Sequence, residues 1–343
     1  MHCLNRPNQS YRPLPTSKKD QSHMHPSLFV YSWLPQTVRE AIPTDISVDH
    51  HDSSVAALTP EDFGRRLAGK HGVVVNGMAV GRQMMQAAGP SLRVIANVGV
   101  GYDNIDVDAA SELGIVVTNT PDILSEATAD MGIALLLASA RRIAEADRFI
   151  RAGLYTKDKF RLFWGAEISG RTIGIIGMGR IGQALARRAR GFNMKVVYNN
   201  RKPVTPGLEQ SLEAKWLALD DVFRVADFLV LCVPLNAGTR HTVNARTLAL
   251  MKPDAHLINI ARGPVVDELA LVDALRKNTI AGAGLDVFEQ EPKLAPGLVD
   301  LPNVVLTPHI GSGTLQTRTA MLALAVRNVV SVLEGNTAST PVN

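Results

Sequence analysis

The sequence is poor in cysteine and has no long apolar run, and each shortage excludes a class of protein. Its 343 residues include 2 cysteines, Cys3 in a polar segment and Cys232 in an apolar one, so we expect no disulfide framework. The longest apolar run, around residues 132–140, is far shorter than the roughly 20 residues that span a bilayer. These features predict a cytoplasmic protein without a membrane partner.

A large net charge is also lacking. The 36 basic and 32 acidic residues leave a net charge of +4 and are interspersed, so we expect no nucleic-acid partner. Residues 1–26 are polar and dotted with proline, without the apolar segment of a signal peptide, and we interpret them as a disordered tail. The histidines of this tail are spaced too irregularly to indicate a metal site. The remaining chain is long enough for two domains.

A strand, a helix and a second strand are predicted at residues 172–176, 181–190 and 195–198. Three glycines in the spacing G-x-G-x-x-G lie at the first turn of this unit: Gly177, Gly179 and Gly182. In a dinucleotide site the first glycine permits a tight turn, the second lets the backbone approach a pyrophosphate, and the third packs the helix on the strand. Because the motif has its full structural context, we predict a dinucleotide-binding unit.

The residues after the second strand predict which dinucleotide is bound. An NAD site usually has Asp or Glu there to hold the ribose 2′-hydroxyl, whereas this chain has Asn200, Arg201 and Lys202, and its next carboxylate is Glu209. A guanidinium and an ammonium can pair with a 2′-phosphate, so NADP(H) is expected in preference to NAD(H). The alternative is that the basic pair only solvates a surface loop.

An earlier unit has the same alternation of strands and helices but lacks the glycine motif. Its strands are predicted at residues 28–31, 73–75, 94–96 and 115–117, which indicates a second doubly wound parallel sheet. Asn76 and Gly77 follow one strand, and Val100 and Gly101 follow the next. Their backbone N–H groups would lie where open α/β sheets bind ligands and could form a nest for a small carboxylate. Simple turns are the alternative.

One long helix is predicted over residues 126–152, with Gly153 ending it. Its middle is apolar on nearly every side, which suggests burial against a second subunit as well as its own chain. We therefore predict a homodimer, with a fully internal helix as the alternative.

The remaining chain completes the dinucleotide-binding unit. Further strands at residues 228–233, 256–260, 282–287 and 304–306 predict a six-stranded dinucleotide domain over residues 122–309. A last helix, at residues 315–333, has no strand to lead into and should return to the first unit. The substrate domain is then discontinuous, consisting of residues 27–121 and 310–343.

Three polar residues follow successive strands of the dinucleotide unit: Arg262, Glu291 and His309. Strand ends on this side face the cofactor crevice, so the three side chains can converge. Hydride transfer to a ketone requires a proton donor, and the imidazole of His309 suits that task near neutral pH. Glu291 would favour its protonated form, and Arg262 would hold a substrate carboxylate and polarise the adjacent carbonyl.

These motifs resemble the D-isomer-specific 2-hydroxyacid dehydrogenases over nearly all of the chain from residue 28. The resemblance rests on residues 98–103 (VGVGYD), 119–121 (NTP), 127–130 (ATAD), 177–182 (GMGRIG), 259–263 (NIARG), 284–292 (GLDVFEQEP) and 307–313 (TPHIGSG). It implies an α/β protein in which a Rossmann dinucleotide-binding domain is inserted in a discontinuous flavodoxin-like substrate domain. It also implies that Arg262, Glu291 and His309 are the catalytic residues.

The resemblance implies further binding residues. Asp286 would touch the nicotinamide amide, and Val233 and Pro234 would lie near the adenine. The substrate carboxylate would be bound by the backbone of Gly77, Val100 and Gly101. Other residues at the cofactor by this likeness are Thr128, Arg180, Ile181, Ala261 and Gly311.

Within the family, the chain is similar to the NADPH-dependent glyoxylate/hydroxypyruvate reductases, including the hydroxyphenylpyruvate-reducing branch. This likeness implies reduction of a small 2-oxoacid to a D-2-hydroxyacid. Larger 2-oxoacids such as 2-ketogluconate and hydroxyphenylpyruvate remain alternatives, because Tyr155 stands where relatives often have Trp, and either Tyr155 or Trp164 could reach the partner's pocket. A nucleotide-sensing corepressor-like scaffold on the same fold is a further alternative.

Overall fold

The computed structural model describes residues 25–343, and its first unit is a five-stranded parallel sheet. The strands are β1 (Ser27–Tyr31), β2 (Ser47–His51), β3 (Gly72–Val75), β4 (Val94–Asn97) and β5 (Val116–Thr118), in the order β2-β1-β3-β4-β5. The helices between them are α1 (Gln36–Arg39), α2 (Pro60–Leu67), α3 (Arg82–Ala88) and α4 (Val107–Glu112). Strands β3 and β4 are buried along their whole length. Such burial is typical of a parallel sheet that is covered on both faces. The strand order is that of flavodoxin-like folds.

Two helices lead from this sheet to a second parallel sheet, of seven strands. They are α5 (Ser125–Ala140) and α6 (Ile143–Arg151), followed by β6 (Thr172–Ile176), α7 (Arg180–Gly191), β7 (Lys195–Asn199), α8 (Pro206–Leu212), β8 (Ala214–Trp216), α9 (Leu219–Val225) and β9 (Phe228–Leu231). The chain continues through α10 (Ala245–Leu248), β10 (His256–Asn259), α11 (Glu268–Arg276), β11 (Gly282–Leu285), β12 (Val304–Leu306) and α12 (Leu315–Leu333). The strand order is β12-β11-β10-β9-β6-β7-β8. Strands β7 and β8 are added on one side of β6 and strands β9 to β12 on the other, so the switch point lies between β6 and β9, where such sheets bind dinucleotides.

The prediction of a six-stranded dinucleotide domain was wrong, because β8 adds a seventh strand. The prediction also missed β2 in the first sheet. Both lie at a sheet edge and neither contains a fully buried residue. Their sequences, AKW and SVDHH, therefore lack the apolar runs that identified the central strands.

The single helix predicted over residues 126–152 was also wrong, because the chain breaks between α5 and α6. Arg142 adopts a left-handed conformation with a φ of 53°. The carbonyl of Ala140 accepts a hydrogen bond from the N–H of Ala166 at 2.8 Å, and a side chain at Gly165 would overlap that carbonyl. The later segment therefore crosses the end of α5, where a continuing helix would lie. Gly153 follows α6 with a φ of 71°, as predicted.

Helix α12 returns to the first sheet, as predicted, and packs on β3 and β4. Its buried side chains join the core on that face of the sheet: Met321, Leu322, Ala325, Val326, Val329 and Leu333. Burial of a large apolar side chain stabilises a fold by roughly 1.5–3 kcal/mol, so this face fixes the position of α12. The boundaries 27–121, 122–309 and 310–343 for the two domains remain a prediction.

Other sequence-based expectations concern the ends and the surface of the molecule. Most of the predicted tail, and Cys3, lie outside the described residues. Cys232 is a free cysteine, and burial raises the pKa of its thiol to about 12. No helix within residues 25–343 is long and apolar enough to cross a membrane.

Candidate active site

The glycine loop lies between β6 and α7, at the switch point of the seven-stranded sheet. Gly177 has a φ of 102°, and a Cβ at this position would lie 2.8 Å from the backbone of Cys232. A side chain at Gly182 would overlap the carbonyl oxygen of Gly177. A Cβ at Gly179, by contrast, would meet no atom within 4 Å, and no side chain caps the start of α7 there. The loop therefore has open space beside uncapped N–H groups, which suits a pyrophosphate.

The segment after β7 borders this loop. The side-chain oxygen of Asn200 accepts a hydrogen bond from the N–H of Met178 at 2.7 Å, so it holds the glycine loop against the end of β7. Arg201 and Lys202 are exposed, and neither pairs with a carboxylate of residues 25–343. The carboxylate of Glu209 is engaged elsewhere. One of its oxygens accepts hydrogen bonds from the Tyr198 hydroxyl at 3.1 Å and from the Trp216 N–H at 2.8 Å. The cationic pair is thus available to a ligand.

In the first unit, the turns after β3 and β4 present backbone N–H groups. The amide of Asn97 donates to the Gly101 carbonyl at 2.7 Å, and the amide of Asn119 donates to the Val100 carbonyl at 2.9 Å. In the part of the chain that the structure describes, the N–H groups of Gly77, Val100 and Gly101 have no protein acceptor. Carbonyls that are held and N–H groups that are unpaired are what the predicted anion nest requires, and the nest itself remains a prediction.

Arg262 follows β10 on a turn that a buried side chain fixes. Asn259 accepts from the Ala261 N–H and donates to the Arg262 carbonyl, both at 3.0 Å. The guanidinium Nε then donates to Asp103 Oδ1 at 2.9 Å, across from the other sheet. A side chain at Gly101 would overlap the Nη2 end of the same guanidinium. The arginine therefore reaches the anion nest while Asp103 holds its Nε edge.

Glu291 and His309 form a hydrogen-bonded pair. The distance between His309 Nδ1 and Glu291 Oε2 is 2.9 Å, and Glu291 Oε1 accepts from the Phe288 N–H at 3.0 Å. Burial alone would raise the pKa of the Glu291 carboxyl. The hydrogen bonds from His309 and Phe288, with the charge of Arg262, hold this pKa below its usual value. An ionised Glu291 thus accepts the hydrogen bond that orients the ring.

Asp286 organises the loop that presents this histidine. It is buried and accepts from the Thr307 hydroxyl at 2.6 Å, from the Ile310 N–H at 2.8 Å and from the Gly311 N–H at 2.7 Å. His309 itself takes a φ of 54°, and its N–H donates to the Asp286 carbonyl at 2.8 Å. A Cβ at Gly311 would lie 3.5 Å from Thr128 Cγ2, so α5 borders the same loop. The hydrogen bonds give Asp286 a structural task beside its predicted contact with nicotinamide.

The predicted residues therefore lie along the carboxyl ends of both sheets. Val233 and Pro234 follow β9, and the N–H of Val233 would be 2.9 Å from a Cβ at Gly177. Ile181 is partly buried against the cores of both units, and the side chain of Arg180 pairs with Asp122, which follows the first unit directly in the chain. Only the backbone of Arg180 is then available at the glycine loop. The catalytic and binding roles of all these residues remain predictions.

Sequence reasoning gave no role to the residues that position the site. Asp103 was part of a matching motif, but its partner Arg262 is 159 residues away in the chain. Asn97 and Asn259 could have been found from the sequence more easily, because each is an amide at the last position of a strand that is buried along its whole length. A buried amide at a strand end must find partners, and here these are the turns that carry the ligand-facing groups.

A dinucleotide loop that faces a histidine–glutamate pair and an arginine defines a nicotinamide-dependent oxidoreductase. The family model described as "D-isomer specific 2-hydroxyacid dehydrogenase, NAD binding domain" matches residues 133–311. The chain belongs to the D-isomer-specific 2-hydroxyacid dehydrogenase family. Among the residues that the structure describes, no three His, Cys, Asp or Glu side chains are grouped as metal ligands.

Individual relatives give the same family. The glyoxylate reductase of Thermococcus onnurineus is 52% identical over 260 residues, which cover 75% of this chain and 78% of that protein. The glyoxylate/hydroxypyruvate reductase B of Yersinia pestis is 41% identical over 325 residues, or 93% of this chain and 98% of that one. The crystal structure of the NADPH-dependent glyoxylate/hydroxypyruvate reductase from Sinorhizobium meliloti, in complex with NADP and malonate, has a TM-score of 0.81 at 38% identity and covers 93% and 97% of the two chains.

Replacing Asp103 tests whether it positions Arg262. Asp103→Ala removes the acceptor of the Nε hydrogen bond, so the guanidinium loses its orientation toward the nest. We expect kcat/KM for a 2-oxoacid to fall by about 10- to 100-fold, as for the loss of one charged hydrogen bond. Asp122→Ala is the matched control, because it removes another Arg–Asp pair, that with Arg180, and leaves the Asp103–Arg262 pair intact. Wild-type kcat/KM in a folded Asp103→Ala protein would contradict this role.

Proposed function

We propose that the protein reduces a small 2-oxoacid of the glyoxylate or hydroxypyruvate class to the D-2-hydroxyacid, with NADPH as the hydride donor. The observation that supports this most strongly is the His309–Glu291 pair, at 2.9 Å, beside the strand end that carries Arg262. The relatives at 41% and 52% identity bear the names of reductases for these acids. A short substrate also suits a nest built from the backbone of two neighbouring turns.

The proposed mechanism assigns one task to each group. The N–H groups of Gly77, Val100 and Gly101 and the Nη2 end of Arg262 bind the substrate carboxylate. The same guanidinium polarises the neighbouring carbonyl, on which negative charge develops. Bound NADPH supplies the hydride that the carbonyl carbon accepts. His309, held by Glu291, donates the proton to the resulting oxygen.

The preference for NADPH rests on the charges after β7. Arg201 and Lys202 are exposed and without carboxylate partners in the described chain, and the first carboxylate beyond them, Glu209, is engaged by Tyr198. A 2′-phosphate would therefore meet two cations and no anion. Arginine can bind such a phosphate with two parallel hydrogen bonds.

A homodimer is the proposed assembly, because α6 and the segment after it expose a large apolar surface. None of the residues of α6 is buried within its own chain. Large apolar side chains there are at least half exposed: Ile143, Ile150, Leu154, Tyr155, Leu162 and Trp164. A patch of this kind on a protein of this size indicates an interaction surface. A second copy can cover it symmetrically, and the exposed rings of Tyr155 and Trp164 would then lie on the partner.

Turnover is the direct test of the reaction. We expect NADPH oxidation with glyoxylate or hydroxypyruvate. His309→Ala should lower kcat by about 100- to 10,000-fold, the usual contribution of a general acid, with NADPH still bound, as measured by cofactor fluorescence. Because the pKa of Glu291 is lowered, its carboxylate stays ionised until the pH falls through that value. The rate should therefore fall as the pH drops through the lowered pKa of Glu291, because the protonated carboxyl no longer holds the ring in the same way, and Glu291→Gln should remove this acid-side decline.

Binding of NADPH without turnover of any 2-oxoacid would contradict the proposal and favour a nucleotide-binding scaffold. A kcat that is unchanged in His309→Ala would exclude His309 as the proton donor.

The cofactor preference is tested at Arg201. We expect Arg201→Asp to raise the KM for NADPH by about tenfold or more, because it loses a charged hydrogen bond and places an anion beside the 2′-phosphate, and to leave the KM for NADH nearly unchanged. Lys195→Asp is the matched control, since Lys195 is exposed at the opposite end of β7. Equal losses with both cofactors in Arg201→Asp would mean that this arginine does not bind the phosphate.

The dimer is tested by charge at the centre of its proposed surface. Ile150 is 59% exposed, and Ile150→Lys would place an ammonium in the apolar interface. Sedimentation velocity at micromolar concentration should give dimers for the wild type and monomers for this variant. Val299→Lys is the control, because Val299 is 63% exposed but lies outside the patch. A wild type that sediments as a monomer would refute the assembly.

A further inference from the structure

A cavity of about 310 Å³ lies between the start of α12 and the turns of the first sheet. Polar side chains of the first unit line one side, namely Ser32, Ser54 and Asn76, and Trp33 lies beside them. Arg318, in the first turns of α12, is its one charged lining residue in the described chain. Neither the proposed mechanism nor the fold assigns a task to this arginine.

Arg318 is partly buried without a carboxylate to balance its charge. Its one side-chain hydrogen bond runs from Nη1 to the Ser312 hydroxyl at 3.3 Å, and within residues 25–343 no acidic oxygen lies within 4 Å of it. Burial lowers the pKa of its guanidinium, so the surroundings disfavour the charge. The positive end of the α12 dipole disfavours it further. Arg188, which is 23% exposed, shows the usual arrangement, because it pairs with both Glu126 and Asp130.

The cavity borders the proposed substrate site through two shared lining residues. Ser54 and Asn76 also line a neighbouring cavity of about 360 Å³, which reaches Gly77 and Met78. The N–H of Gly77 belongs to the nest that would hold the carboxylate next to the reacting carbonyl. A chain that extends from that carbonyl past Asn76 therefore enters the cavity that Arg318 lines.

We propose that Arg318 and this cavity form a subsite for an anionic group at the far end of the substrate, so that the enzyme prefers 2-oxoacids with a second carboxylate to uncharged acids of the same shape. The inference rests on the proposed function and extends its substrate class. Guanidinium and carboxylate match in geometry as well as in charge. Glyoxylate, which has no far end, leaves the subsite unused.

Three substrates distinguish binding at the proposed subsite from binding at the reacting carbonyl. Oxaloacetate has a second carboxylate, 4-methyl-2-oxopentanoate has an uncharged branch of similar shape in its place, and glyoxylate has neither. The wild type should have a higher kcat/KM for oxaloacetate than for 4-methyl-2-oxopentanoate. Arg318→Gln should lower the value for oxaloacetate by about 10- to 100-fold, as for one charged hydrogen bond, and leave the other two unchanged. Arg318→Lys should retain part of the preference.

Arg327→Gln is the matched control, because Arg327 is exposed on the same helix. The subsite is refuted if the wild type does not distinguish the charged acid from the uncharged one, or if Arg318→Gln impairs all three substrates equally in a protein with the wild-type melting temperature. Absence of turnover with every 2-oxoacid would instead refute the proposed function. In that case, calorimetric titration with succinate tests the anion site by itself. Succinate binding to the wild type that is lost in Arg318→Gln supports the site, and absence of binding to the wild type overturns it.

Discussion

The active site depends on the close approach of two turns, those that follow β10 and β11. A side chain at Gly263 would overlap the carbonyl of Phe288, so only glycine lets the backbones meet at this distance. The first turn carries Arg262 and the second carries Glu291, whose Oε1 is held by the Phe288 N–H. The parallel sheet brings the strand ends to one edge, but it does not fix side chains to within an ångström. That precision comes from backbone contact and from the buried carboxylate and amide at the strand ends.

The same principle operates on the other side of the cleft. Asn97 ties the Gly101 carbonyl, and Asp103 from the same turn holds the Nε edge of Arg262 at 2.9 Å. One ion pair therefore both links the two units and orients the arginine. Nη1 of the same guanidinium donates to the Ala261 carbonyl at 2.9 Å, so Nη2 is the end that remains for a substrate. The site is thus completed only where the two sheets meet, which explains why neither unit alone has the groups for hydride transfer to a bound acid.

The sequence was sufficient for the central strands, the glycine loop and the three proposed catalytic positions, because apolar runs and the residues that end them are local signals. It was insufficient for β2 and β8, whose edge positions require little burial. The break after Ala140 depends on a hydrogen bond from Ala166, which is a contact between distant segments and leaves no helix-ending residue in the local pattern. The partnership of Asp103 with Arg262 escaped for the same reason, since motif spacing does not show which charges face each other across a cleft.

The distribution of ion pairs gives a physical criterion for ligand-facing charges. Buried or half-buried cations with structural tasks, such as Arg188, have carboxylate partners, since an unpaired charge in such a place destabilises the fold. Arg201 and Lys202 have none in the described chain, yet exposure to water lowers the cost of leaving them unpaired. Arg318 differs from both, because it is partly buried and has no acidic neighbour within the described residues. An anionic group of a ligand would stabilise the charge of Arg318. The proposed subsite therefore favours a substrate whose far end carries an anion over an uncharged substrate of the same shape.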